Sequence, residues 1–556
     1  MKRAAIGIIW LTGWCSQALF AQNLQGLKNQ KPVTFSGGIN AGINFYEAQN
    51  AAERQAPFAW NISASPTIGF YGILFPFTFV YADNNRSLST PFQRFGVSPF
   101  YKWVKIHLGY RSLNFNPFVF SGQPMLGAGV ELNPKWFRFG FMKGRMAKAQ
   151  FIDSSRANFA GQPSIFSRNG YAVKIGFGSE KNHIDFLFLK AADDVASLPA
   201  SALNSSTVPA ENSVIGISVH RMFSKKLEWK MDFAASAYTR DTRSDVIVVP
   251  TSDPFLKFIT GLFEPHISSQ VYAAGESSLR FLFGSSSLNL SARYVQPDYK
   301  SMGTFYFEND LFRVTVGPNL IFKTGKIIVA GNIGIEHDNL THLKMLTDKK
   351  VIGNLNLSVR PTTSISSTLQ YSNYGISQVR FSRLAEDSAT LRLVNQNLGW
   401  NLQKMWQKKI ALHIFSVNTN WQNTDDAGFN ANGTGNVNSL FGSFTYTLNL
   451  TKKQFSVFGG LNASKAKIGN TVSSNTSGFT FGFGKGFLKN KINCRASSSV
   501  FSQSDQNNQK IITENSRLGF TLRLDKYQTL QLNTNLLHSS NGRQEWTGSV
   551  NYSLGF

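Results

Sequence analysis

Thr547–Phe556 reads T-G-S-V-N-Y-S-L-G-F. In an extended chain Val550, Tyr552, Leu554 and Phe556 fall on one side, and Ser549, Asn551, Ser553 and Gly555 on the other. Successive strand side chains point to opposite faces, so this alternation makes one apolar face and one face of small polar groups. A strand with lipid on one side and water on the other has this pattern. An edge strand of a soluble sheet could share these ten residues, so the reading depends on whether the pattern recurs.

It recurs along the chain. Leu518, Phe520, Leu522 and Leu524 alternate with Arg517, Gly519, Thr521 and Arg523. Leu288, Leu290, Ala292 and Tyr294 alternate with Asn289, Ser291 and Arg293, and Leu227, Trp229, Met231 and Phe233 with Glu228, Lys230 and Asp232. Short basic turns punctuate these runs at 179–182, 224–226, 323–326, 451–453, 489–491 and 525–526. Between them lie longer polar segments, about 191–212, 241–268, 422–436, 465–476, 503–513 and 538–544. Short turns on one side and long loops on the other are the habit of outer-membrane barrels. The period-2 and turn criteria give about 26 strands, range roughly 22–26, in one all-β, antiparallel transmembrane barrel. Pro66, Pro76 and Pro99 blur the pattern in the N-terminal third.

The two termini agree with export to an outer membrane. Lys2 and Arg3 precede an apolar run, Ala4 to Trp14, too short to cross a bilayer as a helix, and Ala18 to Ala21 offers a small-residue cleavage site. We read 1–21 as a signal peptide, 22–32 as a short lead and 33–556 as the barrel. Bulky Trp14 before Cys15 argues against a lipid anchor. Cleavage leaves Cys494 alone, so no disulfide framework is expected. The terminal strand, with Tyr552, Leu554 and Phe556, resembles the C-terminal signal that outer-membrane barrels present to the barrel-assembly machinery. With strands beginning near Val33, no separate plug domain is expected.

Composition narrows the function classes. Charged residues are 16% of the chain, against about 25% in soluble domains. Aromatics reach 13%, with 48 Phe, which suits strands half facing lipid. The net charge of +25 would suit nucleic acid, but an exported chain with dispersed charge has no nucleic acid to meet.

A barrel this wide cannot stay an open hole, and such barrels are usually plugged. The segment 241–268 is the expected plug or partner-docking loop, because Val248, Phe255, Phe258, Leu262 and Phe263 are too apolar to stand in water. The alternative is a hairpin that extends the barrel. Asn114 to Phe120 and 148–169 are further contributors. By alternation Arg138, Lys174, Lys230, Arg293, Arg360, Arg392, Arg517 and Arg523 face inward, with Glu228 and Asp232 against them. Basic rings favour anions in pores; alternatively these bases pair with carboxylates.

Catalytic and metal signals are weak. The eight His show no H-x-x-H or H-E-x-x-H spacing. Glu336-His337-Asp338 and Glu308-Asn309-Asp310 lack any supporting ligand set. A hydrolase would need Ser and His meeting on the wall, and His538-Ser539-Ser540 has no visible acid partner. No enzyme, metal or cofactor is expected.

Tyr294–Gly303 (Y-V-Q-P-D-Y-K-S-M-G) with Asn309-Asp310, His107–Ser112 (H-L-G-Y-R-S) and Lys143-Gly144-Arg145 resemble segments of large outer-membrane barrels of Bacteroidota, both porin-like and secretion-associated. The resemblance implies the outer membrane of a Gram-negative cell, with its lipid and LPS as partners and a plug or surface protein as a further one. The expected function is a transport channel for polar solutes, anionic ones included. The alternative is a non-conducting scaffold or translocation barrel that docks surface or secretion-system partners.

Overall fold

The computed structural model describes residues 31–83, 94–151, 164–199, 207–248, 261–304, 308–344, 346–380, 392–426, 436–469, 472–504 and 509–556. The segment 1–21, expected as a signal peptide, lies outside the described residues. The sheet contains 29 strand segments. Three pairs of consecutive segments are single strands broken once: Val33–Ser36 with Gly38–Gln49, Phe58–Ala64 with Thr67–Phe70, and Arg94–Val97 with Phe100–Tyr101. The barrel thus has 29 − 3 = 26 strands.

The breaks have local causes. Pro66 and Pro99 sit in two of them, and proline brings no N–H to the ladder. The third is at Gly37, whose φ of 138° suits glycine, and whose Cβ would lie 2.5 Å from the Ser65 carbonyl oxygen. Pro76 is tolerated inside Ile73–Ala82, where its carbonyl accepts from Ser98 N–H at 3.0 Å.

All neighbours pair antiparallel, in chain order. The last strand, Gln544–Gly555, closes on the first, from Gly38↔Gly555 to Gln49↔Gln544. At the seam Gly37 N–H donates to the Phe556 carbonyl at 2.8 Å, and Phe556 N–H donates back to Gly37 at 3.0 Å. The Phe556 ring stacks on Phe35 with centroids 4.3 Å apart. Register keeps like against like: Val550 opposes Ile43 and Leu532, while Ser549 opposes Asn44 and Asn533.

Closure turns the alternation into an outside and an inside. Outward positions include Ile215, Phe233, Phe479, Phe481 and Leu532, all exposed. At the short-turn end Tyr71, Trp103, Trp136, Phe223, Phe283, Phe322, Phe487 and Tyr527 are also exposed. They form an aromatic ring around that end of the wall, as interfacial girdles do. Several hairpins run farther into the polar segments than the sequence suggests. Around 465–476 only 469–471 separates Phe455–Ile468 from Val472–Phe487, because the small polar residues there still alternate and still pair.

Candidate functional site

Among the described residues, the lumen is filled from one side. The loop 113–123, between Val104–Ser112 and Pro124–Leu132, bends inward and meets residues 296–304, which follow Ser286–Val295. Tyr299 OH donates to the Phe118 carbonyl at 2.8 Å, Ser301 Oγ to the Val119 carbonyl at 2.8 Å, and Ser121 N–H to the Gly303 carbonyl at 2.9 Å. Gly303 is required by this approach, since a Cβ there would sit 2.3 Å from the Val119 oxygen. Phe118, Val119, Phe120, Tyr299 and Met302 then pack on Leu187, Leu189, Val214, Ala234 and Ala274 of the wall. These five wall positions are small or medium aliphatics on the inner face, so the loops lie close against the sheet.

Polar groups pin the same loops. Asn116 Nδ2 donates to Ser218 Oγ at 2.9 Å and to Asp232 Oδ1 at 3.0 Å. Its Oδ1 accepts from Phe118 N–H at 2.8 Å. Asn212 donates to Ser236 at 2.7 Å and accepts from Met302 N–H, and Ser236 donates to the Lys300 carbonyl. Buried polar groups that are satisfied in this way fix one arrangement. The segments Tyr294–Gly303 and His107–Ser112, separated in sequence, thus flank one infolded unit.

The inward basic residues mostly find partners. Arg138 Nε and Nη2 bind the two Asp185 oxygens at 2.8 and 3.0 Å. Lys230 pairs with Glu228 at 3.0 Å, and Arg293 with Glu276 at 3.5 Å while lying 5.2 Å from the Phe118 ring centroid. Lys174 is buried, its ammonium 4.8 Å from the Phe115 ring centroid. Arg517 donates to Asn535 Oδ1 at 3.3 Å. Arg360 and Arg523 are exposed beside the short turns. Arg392, expected to face inward, pairs opposite Ser377 at the strand parity of the outward Leu398 and Trp400, and its side chain lies outside the described residues. The sequence reading set only Glu228 and Asp232 against these bases. The structure adds Asp185, Asp193, Glu276 and Glu336 on the inner face, each ion-paired, and Glu131, which accepts from His107. The sequence reading also missed Arg495, inward by the same alternation that places Asn493 and Ser497.

Of the segment 241–268, expected as a plug or partner-docking loop, 241–248 and 261–268 lie among the described residues. Its base is a hairpin: Val246 bridges His266, and Ile247 N–H donates to the Pro265 carbonyl at 2.7 Å. The Leu262 carbonyl accepts from Lys190 Nζ and Ser213 Oγ, each at 3.3 Å, and both donors sit at outward register positions. Phe263 is buried, Val248 is 89% exposed, and Phe255 and Phe258 lie outside the described residues. The described part of 241–268 therefore leans over the outer rim, while among the described residues 113–123 and 296–304 are the loops that pack inside the lumen. The terminal-strand trio keeps its place at the seam, with Tyr552 OH donating to Gln528 at 3.0 Å.

A Ser and a His do meet on the wall, at a site no local motif signals. Ser98 Oγ lies 3.0 Å from His107 Nδ1, and His107 Nε2 lies 2.8 Å from Glu131 Oε1. With Glu131 ionised, the carboxylate can only accept, so Nε2 carries the proton and Ser98 donates to Nδ1. His107 is 2% exposed. It fastens the kinked strand at Ser98-Pro99 to its second neighbour.

Outside the membrane-crossing strands, Asp310 ties two long loops together. It accepts from Leu340 N–H at 3.0 Å and pairs with Lys344, which also reaches Asp338 at 3.0 Å. Burial pushes the Asp310 carboxyl up, but Lys344 and the Leu340 and Asn339 N–H groups outweigh it and hold the group below its ordinary range. Lys344 is likewise lowered by burial but raised further by the two carboxylates, ending above its ordinary value.

The remaining wall is different in kind. Across six consecutive strands, from Ile365–Arg380 to Val472–Phe487, the described inward side chains carry no charge. They are chiefly amides and hydroxyls: Asn420 donates to Asn397 at 3.0 Å, Asn418 to Ser443 at 3.4 Å, and Asn462 to Thr480 at 3.2 Å.

No protein-family model matches the chain, and no curated protein matches it. Among solved structures it is similar to OccAB4 of Acinetobacter baumannii, at 9% identity over 95% of this chain and 99% of that one, TM-score 0.30. It is similar to the P pilus usher (PapC) translocation pore at 10% identity, 94% and 99% coverage, TM-score 0.38. It is also similar to BauA, the ferric preacinetobactin receptor of Acinetobacter baumannii, at 8% identity, 94% and 81% coverage, TM-score 0.36.

Proposed function

We propose that the chain is an outer-membrane transport channel for polar solutes, narrowed from one side by its own loops. The observation that carries this reading is the division of the wall. Its outer face is a continuous band of exposed apolar side chains ended by an aromatic ring, and its inner face is polar and only partly covered. An apolar area of that extent left in water would drive association; in lipid it is the surface a barrel needs. Outer-membrane lipid and LPS are then its surroundings, and the short turns point to the periplasm.

The infolded unit occupies the arc from Val104–Ser112 to Leu311–Phe322, and no described residue covers the uncharged arc. Solute would pass between the two. Because most bases on the covered arc are paired, they exert a weaker field than a ring of free cations.

Planar-bilayer recording of the purified, refolded chain tests this. Stable openings that close on denaturation support the channel. A folded barrel that stays silent at every voltage, both intact and with 114–122 replaced by a Gly-Ser linker, would favour a non-conducting scaffold.

A further inference from the structure

Beside the uncharged arc the wall carries a recess of about 740 Å³. Its inner lining includes Asn44, Phe458, Arg495, Arg517, Asn533 and Asn535. Glycines hollow it out. A Cβ at Gly482 would lie 2.5 Å from the Phe458 ring, so Gly482 lets that ring lie flat on the wall. Gly484 and Gly519 face inward beside it and put no side chain into the space. Arg495 pairs with Gly519 in the ladder, and Arg517 with Ser497, so the two guanidinium-bearing positions lie diagonally on adjacent strands. Neither arginine has an ion pair among the described residues. This sets them apart from Arg138, Lys230 and Arg293 across the lumen, each held by a carboxylate.

We infer that this recess binds a hydroxyl-rich solute bearing one carboxylate, of the size of an acidic monosaccharide, during its passage. The inference rests on the channel reading and names a solute class for it. Two guanidinium-bearing side chains on adjacent strands, both lining the recess and neither held by a carboxylate, supply planar, charge-assisted donors for a carboxylate. Each amide presents both donors and an acceptor, as a hydroxyl does, so Asn44, Asn533 and Asn535 can satisfy ring hydroxyls without a net charge. Phe458 offers a flat apolar face for the C–H side of a sugar ring. The volume falls within the range of ligand pockets, about 300–1,000 Å³.

The test uses the full mature chain and D-glucuronate, with D-glucose and acetate as comparison probes. Equilibrium dialysis of the detergent-solubilised barrel measures binding without requiring current. Glucuronate should be retained more strongly than either comparison probe. The double variant Arg495→Gln, Arg517→Gln should lose affinity about tenfold or more, the effect expected of lost charge-assisted bonds. Phe458→Leu should weaken glucuronate and leave acetate unchanged. In bilayers, glucuronate should interrupt the current of the parent chain and not that of the double variant. Equal retention of glucose or acetate, or full glucuronate binding by a double variant with unchanged β-signal in circular dichroism, would overturn the inference while leaving a conducting channel intact. A silent barrel that still binds glucuronate through the two arginines would overturn the channel reading and keep the recess.

Discussion

At the scale of single residues, buried polar groups hold the infolded loops more specifically than the apolar contacts around them. Asn116 serves three partners at once, donating to Ser218 and Asp232 and capping Phe118 N–H. Asn116→Ala leaves those groups unsatisfied, at a cost of about 1–3 kcal/mol, and should free the loop before it unfolds the barrel. The expected outcome is a noisier, larger conductance with an unchanged melting temperature of the β-signal. Tyr299→Phe removes one hydrogen bond and keeps the ring, so it should cost only about 0.5–1.5 kcal/mol. His107 predicts the opposite pattern. Its imidazole links Ser98 to Glu131 within the wall itself, so His107→Ala should lower the stability of the whole barrel by about 1–3 kcal/mol, seen in urea unfolding of the refolded chain, and Ser98→Ala should cost less. If Ser98 were instead a reacting hydroxyl, it would take a fluorophosphonate label; no label is expected.

At the scale of elements, strand alternation was legible in the sequence and loop destination was not. Period-2 patterns such as Leu518 to Leu524 set both the strand and its lipid face, because a register slip of one residue would exchange the faces. The broken strands were partly legible through Pro66 and Pro99, whereas the break at Gly37 depends on how closely Ser65 approaches it. The apolar loop 241–268 pointed to a plug, yet hydrophobicity gives no direction, and its hairpin base leans outward through Lys190 and Ser213. Arg138 and Asp185 are 47 residues apart, so their pairing had no local signature. The clamp between Asp310 and residues 338–344 yields a prediction at this scale. Asp310 titrates below its ordinary value when folded, so its contribution is present above about pH 4 and is lost as pH falls through the lower folded value. Lys344 titrates above its ordinary value, so its contribution is present below about pH 10 and is lost as pH rises through the higher folded value. Lys344 is half exposed, so the energy is small and salt-screened. A spin label on His342→Cys should become more mobile below about pH 4, and Asp310→Asn should give that mobility at neutral pH.

At the scale of the whole molecule, the barrel is two walls of different chemistry closed into one ring. One arc carries paired charges and a packed loop core; the other carries amides, hydroxyls and glycines facing open space. Among the described residues packing is confined to one side, which sets the passage off-centre, toward the uncharged arc. Two consequences follow for conduction. The field in the passage comes mainly from unpaired guanidinium groups such as Arg495 and Arg517, because paired charges largely cancel at a distance. Anion preference should therefore be weak near 1 M salt, where the Debye length is about 3 Å, and grow toward 0.01 M, where it is about 30 Å. Reversal potentials under a salt gradient at both concentrations measure this. An anion preference that stayed constant from high to low salt would indicate a narrow site contacted directly by the ion, and would place the selective element at the loops. Replacing 114–122 by a Gly-Ser linker separates the two possibilities further. It should raise conductance roughly twofold, since the covered arc is a little under half of the wall, while the low-salt anion preference, set on the opposite arc, persists.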